Sequence, residues 1–309
     1  MAFKVSICFS KGSRLSLPKS CLDPMVPHFT GRQKECEEIA GLVTSESIRI
    51  VSIWGSPGFG KTSVAIAVGH HVHSQGLPVY YLSLRGLQST ADLASKLLNL
   101  FRRPVTSDQQ SQQDPSIDPL IDDDISLLFT EFSDPFNIIL DNADELLSGG
   151  PKAKEGFTQF LTNILRRNEK LTFVITTRES LEFMNVQFQG YQGVRISPLD
   201  EPSSQNLVNK LLPNVTVSDC KRISIICGQV PLAMKLMCPF ISEDNAEPSQ
   251  VLDDFMWSLQ NRNIVEMLDN PDDPSNLRLK LLFDSSFQGL SAEEKKLLCP
   301  CVFSQRLSM

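Results

Sequence analysis

Residues Gly55, Ser56, Pro57, Gly58, Phe59, Gly60, Lys61 and Thr62 match the spacing G-x-x-x-x-G-K-[ST] at every fixed position. Each residue type has a chemical reason. Glycines let backbone N–H groups curl around an anion without a Cβ in the way. A helix beginning at the lysine, with Ser63 next in line, points its positive N-terminus at the same anion. The Lys61 ammonium reaches the β- and γ-phosphates of a nucleotide, and the Thr62 hydroxyl is a ligand for Mg²⁺. A bare match of this kind gains meaning from context, because a strand must precede it and a helix must follow. IRIVSIW (48–54) is a β-branched apolar run, and SVAIAVGHHVH after the loop has helical character.

Two further strand ends carry candidate chemistry. FNIILD (136–141) closes on Asp141, an acid at the tip of an apolar strand, placed to hold Mg²⁺ through water. The following residue is Asn142, a poor base. This points away from fast hydrolysis and leaves Asp144 and Glu145 as the candidate bases. LTFVITT (171–177) is followed by Arg178, which would tell ATP from ADP by a charge-assisted bond to the γ-phosphate or would simply cap a strand end.

The elements that position these groups alternate. Strand-like runs at 48–54, 78–84, 136–141, 171–177 and 191–197 are separated by helical stretches at 90–101, near 119–132 and at 153–167. That alternation predicts parallel βαβ units, an α/β fold. A short helix is expected at 33–42. Residues 104–124 are polar, acidic and Pro-containing and read as a solvated loop. After Pro198 no strand run recurs, and helices are expected at 203–212, 217–228, 231–240 and 248–260. The expected division is a loose N-terminal tail (1–27), a nucleotide-binding domain (28–197), a helical domain (198–269) and a third helical unit (270–309).

Bulk properties exclude several classes. The formal charge of −7 argues against nucleic acid as the main partner, since phosphate backbones demand clustered Lys and Arg. No run approaches the ~18 apolar residues of a membrane helix, and the N-terminus is a poor secretory signal. A cytoplasmic location is expected. The eight cysteines show no C-x-x-C pair and are read as reduced, mostly buried thiols. His70, His71 and His73 are read as solvent-facing helical residues rather than metal ligands.

The order of motifs FTGR (29–32), GSPGFGKT (55–62), IILDNADEL (139–147), FVITTR (173–178), ISPLD (196–200) and CGQVPLAMKLM (227–237) resembles the NB-ARC domain of the STAND class of signalling P-loop ATPases, over residues 28–309. The resemblance implies a P-loop sheet with the 171–177 strand between the P-loop and Asp141 strands. It also implies a helical domain whose Gly228, Pro231 and Leu232 form a Gly-x-Pro motif, and the start of a winged-helix domain at 270–309. Phe29 and Arg32 would then lie near the base of the nucleotide, and Pro231 near adenine and ribose. Lys61, Thr62, Asp141 and Arg178 would keep their motif roles, with ATP or ADP and Mg²⁺ as cofactors. The winged-helix His that would contact the β-phosphate falls beyond the resembling stretch. The implied function is a nucleotide-dependent switch that self-associates and signals to protein effectors in apoptosis, immunity or transcriptional control. A steady-turnover AAA-like ATPase, a nucleotide kinase and an interaction module with a vestigial site are the rivals.

Overall fold

The computed structural model describes residues 16–101, 121–186, 190–243 and 249–250. The expected winged-helix start, most of the acidic loop, the 248–260 helix beyond its first residues and the first fifteen residues lie outside that set.

The sheet has five strands: β1 (Ile50–Trp54), β2 (Val79–Ser83), β3 (Phe136–Asp141), β4 (Leu171–Thr177) and β5 (Tyr191–Arg195). Their order is β2-β3-β4-β1-β5, and every pairing is parallel. Strand β4 therefore sits between the P-loop strand and the Asp141 strand, as the resemblance implies. Strands β3 and β4 are buried along their whole length, which is why their sequences are continuous apolar runs rather than alternating ones. Strand β5, at an edge, buries Tyr191 and Val194 and leaves the other residues half-buried or exposed. Register aligns Trp54 with Thr177 and Ser83 with Asp141, so the C-terminal ends of four strands share one rim. After β1 the chain leaves to the far side of the sheet, and such a switch point opens a crevice at the rim.

Helices cover both faces. On one face α1 (Gln33–Val43) and α2 (Lys61–Ser74) pack on Val51, Ile53, Ile139 and Val174. On the other, α3 (Thr90–Phe101), α4 (Ile121–Thr130), the single turn α5 (Asp144–Leu147) and α6 (Pro151–Arg167) enclose a larger core. Its centre is aromatic: Phe101 meets Tyr80 at 4.7 Å and Phe129 at 5.0 Å between ring centroids, edge to face. A 3₁₀ turn at Glu182–Val186 leads into β5.

Three helices form a separate core of Leu207, Val208, Ile223, Met234, Met237 and Ile241. They are α7 (Glu201–Leu211), α8 (Val217–Ile226) and α9 (Pro231–Glu243). Their starts are locally encoded. The Asp200 carboxylate accepts from the Ser203 N–H, the Thr216 hydroxyl accepts from the Asp219 N–H, and Pro231 opens α9.

The stretch before α1 differs from the loose tail expected there. Cys21 pairs in parallel with the outer edge of β2: its N–H donates to Val79 O (3.2 Å) and its carbonyl accepts from Tyr81 N (2.7 Å). The Tyr80 hydroxyl donates to Pro18 O at 2.6 Å, and Leu17 and Leu22 pack on the two cores. An unpaired edge strand exposes a row of N–H and C=O groups, and this strap satisfies those of Val79 and the N–H of Tyr81.

Candidate functional site

The loop between β1 and α2 sits at the rim where the strands end. Gly55, Gly58 and Gly60 all have positive φ. A Cβ on Gly58 would stand 3.0 Å from Leu232 Cβ, and one on Gly55 would collide with the Ile196 carbonyl. The loop is thus pressed between the end of β5 and the helical unit, and glycine is required by space as well as by φ. The Lys61 ammonium donates to the carbonyls of Gly55 (2.7 Å) and Ser56 (3.1 Å) across the loop, with Pro57 and Gly58 forming its turn. Burial pushes the Lys61 amine down to about 8; the Asp144 carboxylate opposes this, Arg178 adds to it, and Asp141 opposes it.

Asp141 is 1% exposed and has three hydroxyl donors. Thr62 and Thr176 both donate to Oδ1 at 2.7 Å, and Tyr81 donates to Oδ2 at 2.9 Å. Burial first, then the Asp141 charge and hydrogen bond, pushes the Tyr81 phenol well above its ordinary range, so it stays a donor. Asn142 takes φ 64°, a conformation Asn tolerates, and its N–H donates to the Thr176 hydroxyl at 2.8 Å. The two acids proposed as bases are already acceptors. Asp144 Oδ1 receives the Arg178 backbone N–H at 2.7 Å, and Glu145 receives the Gly86 N–H at 2.7 Å. The Arg178 side chain approaches Asp144 as well, Nε to Oδ2 at 3.9 Å.

The donor set fits a phosphate-bound magnesium ion. A hydroxyl and a buried carboxylate lie within 2.7 Å of each other, beside a lysine and a loop whose three glycines have positive φ. Thr62 and Asp141 are the residues that would hold it. Among the described residues no group of three or more His, Cys, Asp or Glu could hold a metal. His70 instead bonds the Asp23 carbonyl of the strap at 2.8 Å.

Beside the loop lies a shallow, open cleft. It brings together Phe29, Arg32, Phe59, Gly60, Ser63 and Pro231, which come from three separate stretches of sequence. Leu232 is placed differently: it backs the loop, its N–H donating to Gly58 O at 3.2 Å. Arg32 is the tie. It is 8% exposed, sits at φ 70°, pairs with Glu35 at 2.7 Å and donates to the carbonyls of Phe59 and Ser197. The cleft also contains Val26 and Leu207, which lie outside the motifs, and Lys235, which lies within 227–237 without being singled out there. Burial lowers the Lys235 amine from its ordinary range. Tyr81 is likewise unmarked, and no local signal distinguishes it from an ordinary strand tyrosine.

Among the described residues no helix is long and apolar enough to cross a membrane. No family profile matches the chain. Over 242 residues it is 24% identical to an uncharacterized WD repeat-containing protein of Nostoc, an alignment covering 71% of this chain and 18% of that protein. The chain spans less than a fifth of that relative. Among solved structures, the Walker-type ATPase of Pyrococcus abyssi matches with a TM-score of 0.50 at 13% identity, over 93% of this chain and 91% of its own. A STAND protein with a tetratricopeptide repeat sensor from Pyrococcus horikoshii matches at 18% identity and a TM-score of 0.48, over 89% of this chain and 34% of that one. The Pyrococcus abyssi likeness, with the strand order and loop above, shows the P-loop ATPase fold.

Proposed function

We propose that this chain is the nucleotide-binding core of a signalling switch of the STAND, NB-ARC-like type. One observation supports the reading above the rest. The cleft beside the phosphate loop and the loop itself are built jointly by the sheet domain and the helical unit, through Pro231, Lys235 and the Leu232 N–H to Gly58 contact. A nucleotide in that cleft would touch both units, so its identity would bias their relative position. Gly55 to Ser63 bind the phosphates, Phe29, Arg32 and Pro231 flank the base and ribose, and Thr62 with Asp141 hold Mg²⁺. The ion neutralises phosphate charge when bound. Arg178, on the rim beside Asp144, is the group that would sense a γ-phosphate. Asp144 and Glu145 are engaged as acceptors, and Asn142 offers no base; both favour a slow switch over a fast ATPase. In the intact protein the core would be joined to a sensor, as the WD repeats in the relative's name suggest, and would self-associate to engage protein effectors.

The test is the nucleotide the protein carries. Protein purified without added nucleotide is denatured and the released nucleotide identified by anion exchange, with Lys61→Ala as control. Near-stoichiometric ADP, absent from the variant, is the expected result. Turnover near ~1 s⁻¹ or faster lies in the range of working enzymes and would instead favour a conventional ATPase.

A further inference from the structure

The Asp141 backbone is held without help from its side chain. Asp141 is aligned with Ser83 in the sheet, and its carbonyl accepts from Leu84 N at 2.8 Å. What remains loose is the carboxylate torsion, which in a carboxyl-bearing side chain is broad and has no sharp staggered wells. Two donors, Thr62 and Thr176, act on the same oxygen. Oδ2 accepts from the Tyr81 hydroxyl at 2.9 Å. Tyr81 is in turn fixed from both sides. Its strand position pairs with Ile139 of β3, and its N–H donates to Cys21 O of the strap at 2.7 Å.

We propose that Tyr81 is a positioning residue for the magnesium site: by holding Oδ2 it fixes the plane of the Asp141 carboxylate and keeps Oδ1 turned to the Thr62 hydroxyl. The proposal rests on the nucleotide-switch reading above. The carboxylate is rigid, so the only freedom is rotation about Cβ–Cγ, and Tyr81 on Oδ2 resists that rotation from the side opposite Thr62 and Thr176 on Oδ1. Thr62 could ligate Mg²⁺ through an oxygen lone pair and still donate its proton to Oδ1, so the ion would need the carboxylate held in the orientation that Tyr81 and Thr176 support from its two oxygens. A tyrosine that served only to fill space would give the ion nothing.

The experiment is a titration of Mg²⁺ at fixed fluorescent ATP analogue, with binding in EDTA measured alongside, for wild type, Tyr81→Phe, Asp141→Ala and the double variant. Tyr81→Phe is expected to raise the Mg²⁺ concentration at half-saturation about tenfold, the size of a lost hydrogen bond to a charged group. Binding in EDTA should stay unchanged, and this also shows that the variant has folded. In the Asp141→Ala background the same change should add nothing further. Unaltered Mg²⁺ dependence in Tyr81→Phe overturns the proposal. So does equal weakening with and without the ion, which marks a merely structural role, or a Tyr81→Phe effect that persists without the Asp141 carboxylate. A wild-type protein whose nucleotide binding ignores Mg²⁺ overturns the underlying site assignment as well, and is distinguishable because it requires no variant.

Discussion

The hydroxyl of Thr62 lies 2.7 Å from Oδ1 of Asp141, although the two residues are 79 apart in sequence. One is the first-turn residue of the helix after the phosphate loop; the other ends the third strand. Replacing Thr62 with Val keeps the shape and removes the donor. Nucleotide binding should then become insensitive to EDTA, while stability falls only by the amount of one hydrogen bond to a charged group, about 1.5–3 kcal/mol. Retained Mg²⁺ dependence in Thr62→Val would show that the ion sits elsewhere.

The burial of Lys61 predicts that nucleotide binding is linked to proton uptake. Its amine is held near 8 by burial, below the ordinary lysine value of 10.5. Between those values the unfolded chain binds more protons at this residue than the folded one. This group alone therefore makes stability rise with pH across that window. A bound phosphate favours the ammonium and lifts the amine again. At pH 8 binding should take up about half a proton, falling toward zero by pH 6.5. Calorimetry in buffers of different ionisation enthalpy measures this uptake directly, and a buffer-independent heat at pH 8 contradicts it.

Gly58 is where the helical unit presses on the loop. An alanine there meets Leu232 Cβ at 3.0 Å and Val230 Cγ1 at 3.3 Å, at φ +79°. The strain of a non-glycine at such a φ is about 1–2 kcal/mol before the contacts are counted. Gly58→Ala should weaken nucleotide binding at least about tenfold by the same scale and should increase cleavage by protease between β5 and α7. Wild-type protease resistance would mean that the two units do not rely on this contact.

Arg32 joins α1, the phosphate loop and the end of β5. Arg32→Ala leaves the Phe59 and Ser197 carbonyls without their donor and Glu35 without its partner. The expected cost is about 2–4 kcal/mol, or roughly 5–10 °C in thermal midpoint for a domain of this size. Arg32→Lys keeps a charge for Glu35 but cannot fork between two carbonyls, so it should recover only part of the loss. Equal midpoints for the Lys variant and wild type would show that only the charge matters.

The legible parts of the fold are those written in short runs. IRIVSIW, FNIILD and LTFVITT announce buried strands because both their faces need apolar, β-branched residues. The four-residue helix at Asp144–Leu147 is too short to carry a period, and the strap at Cys21 has no pattern of its own, since an edge strand supplies its partners. Pro231 was marked by its motif, and the structure brings it to the cleft. Leu232, marked by the same motif, backs the loop instead, because one step along a helix turns a side chain by about 100°.

By itself, the sequence determined the phosphate loop, since its chemistry is carried by eight consecutive residues whose glycines and lysine have few other uses. It also determined the alternation of strands and helices that sets the loop at a strand end. Only the tertiary structure decided which side chains meet there. Tyr81 reaches Asp141 through the register of β2 on β3. Lys235 and Leu207 reach the cleft through the docking of the helical unit, and Arg32 reaches two carbonyls from a left-handed backbone turn. Register and docking depend on contacts between residues far apart in the chain, and no local spacing records them.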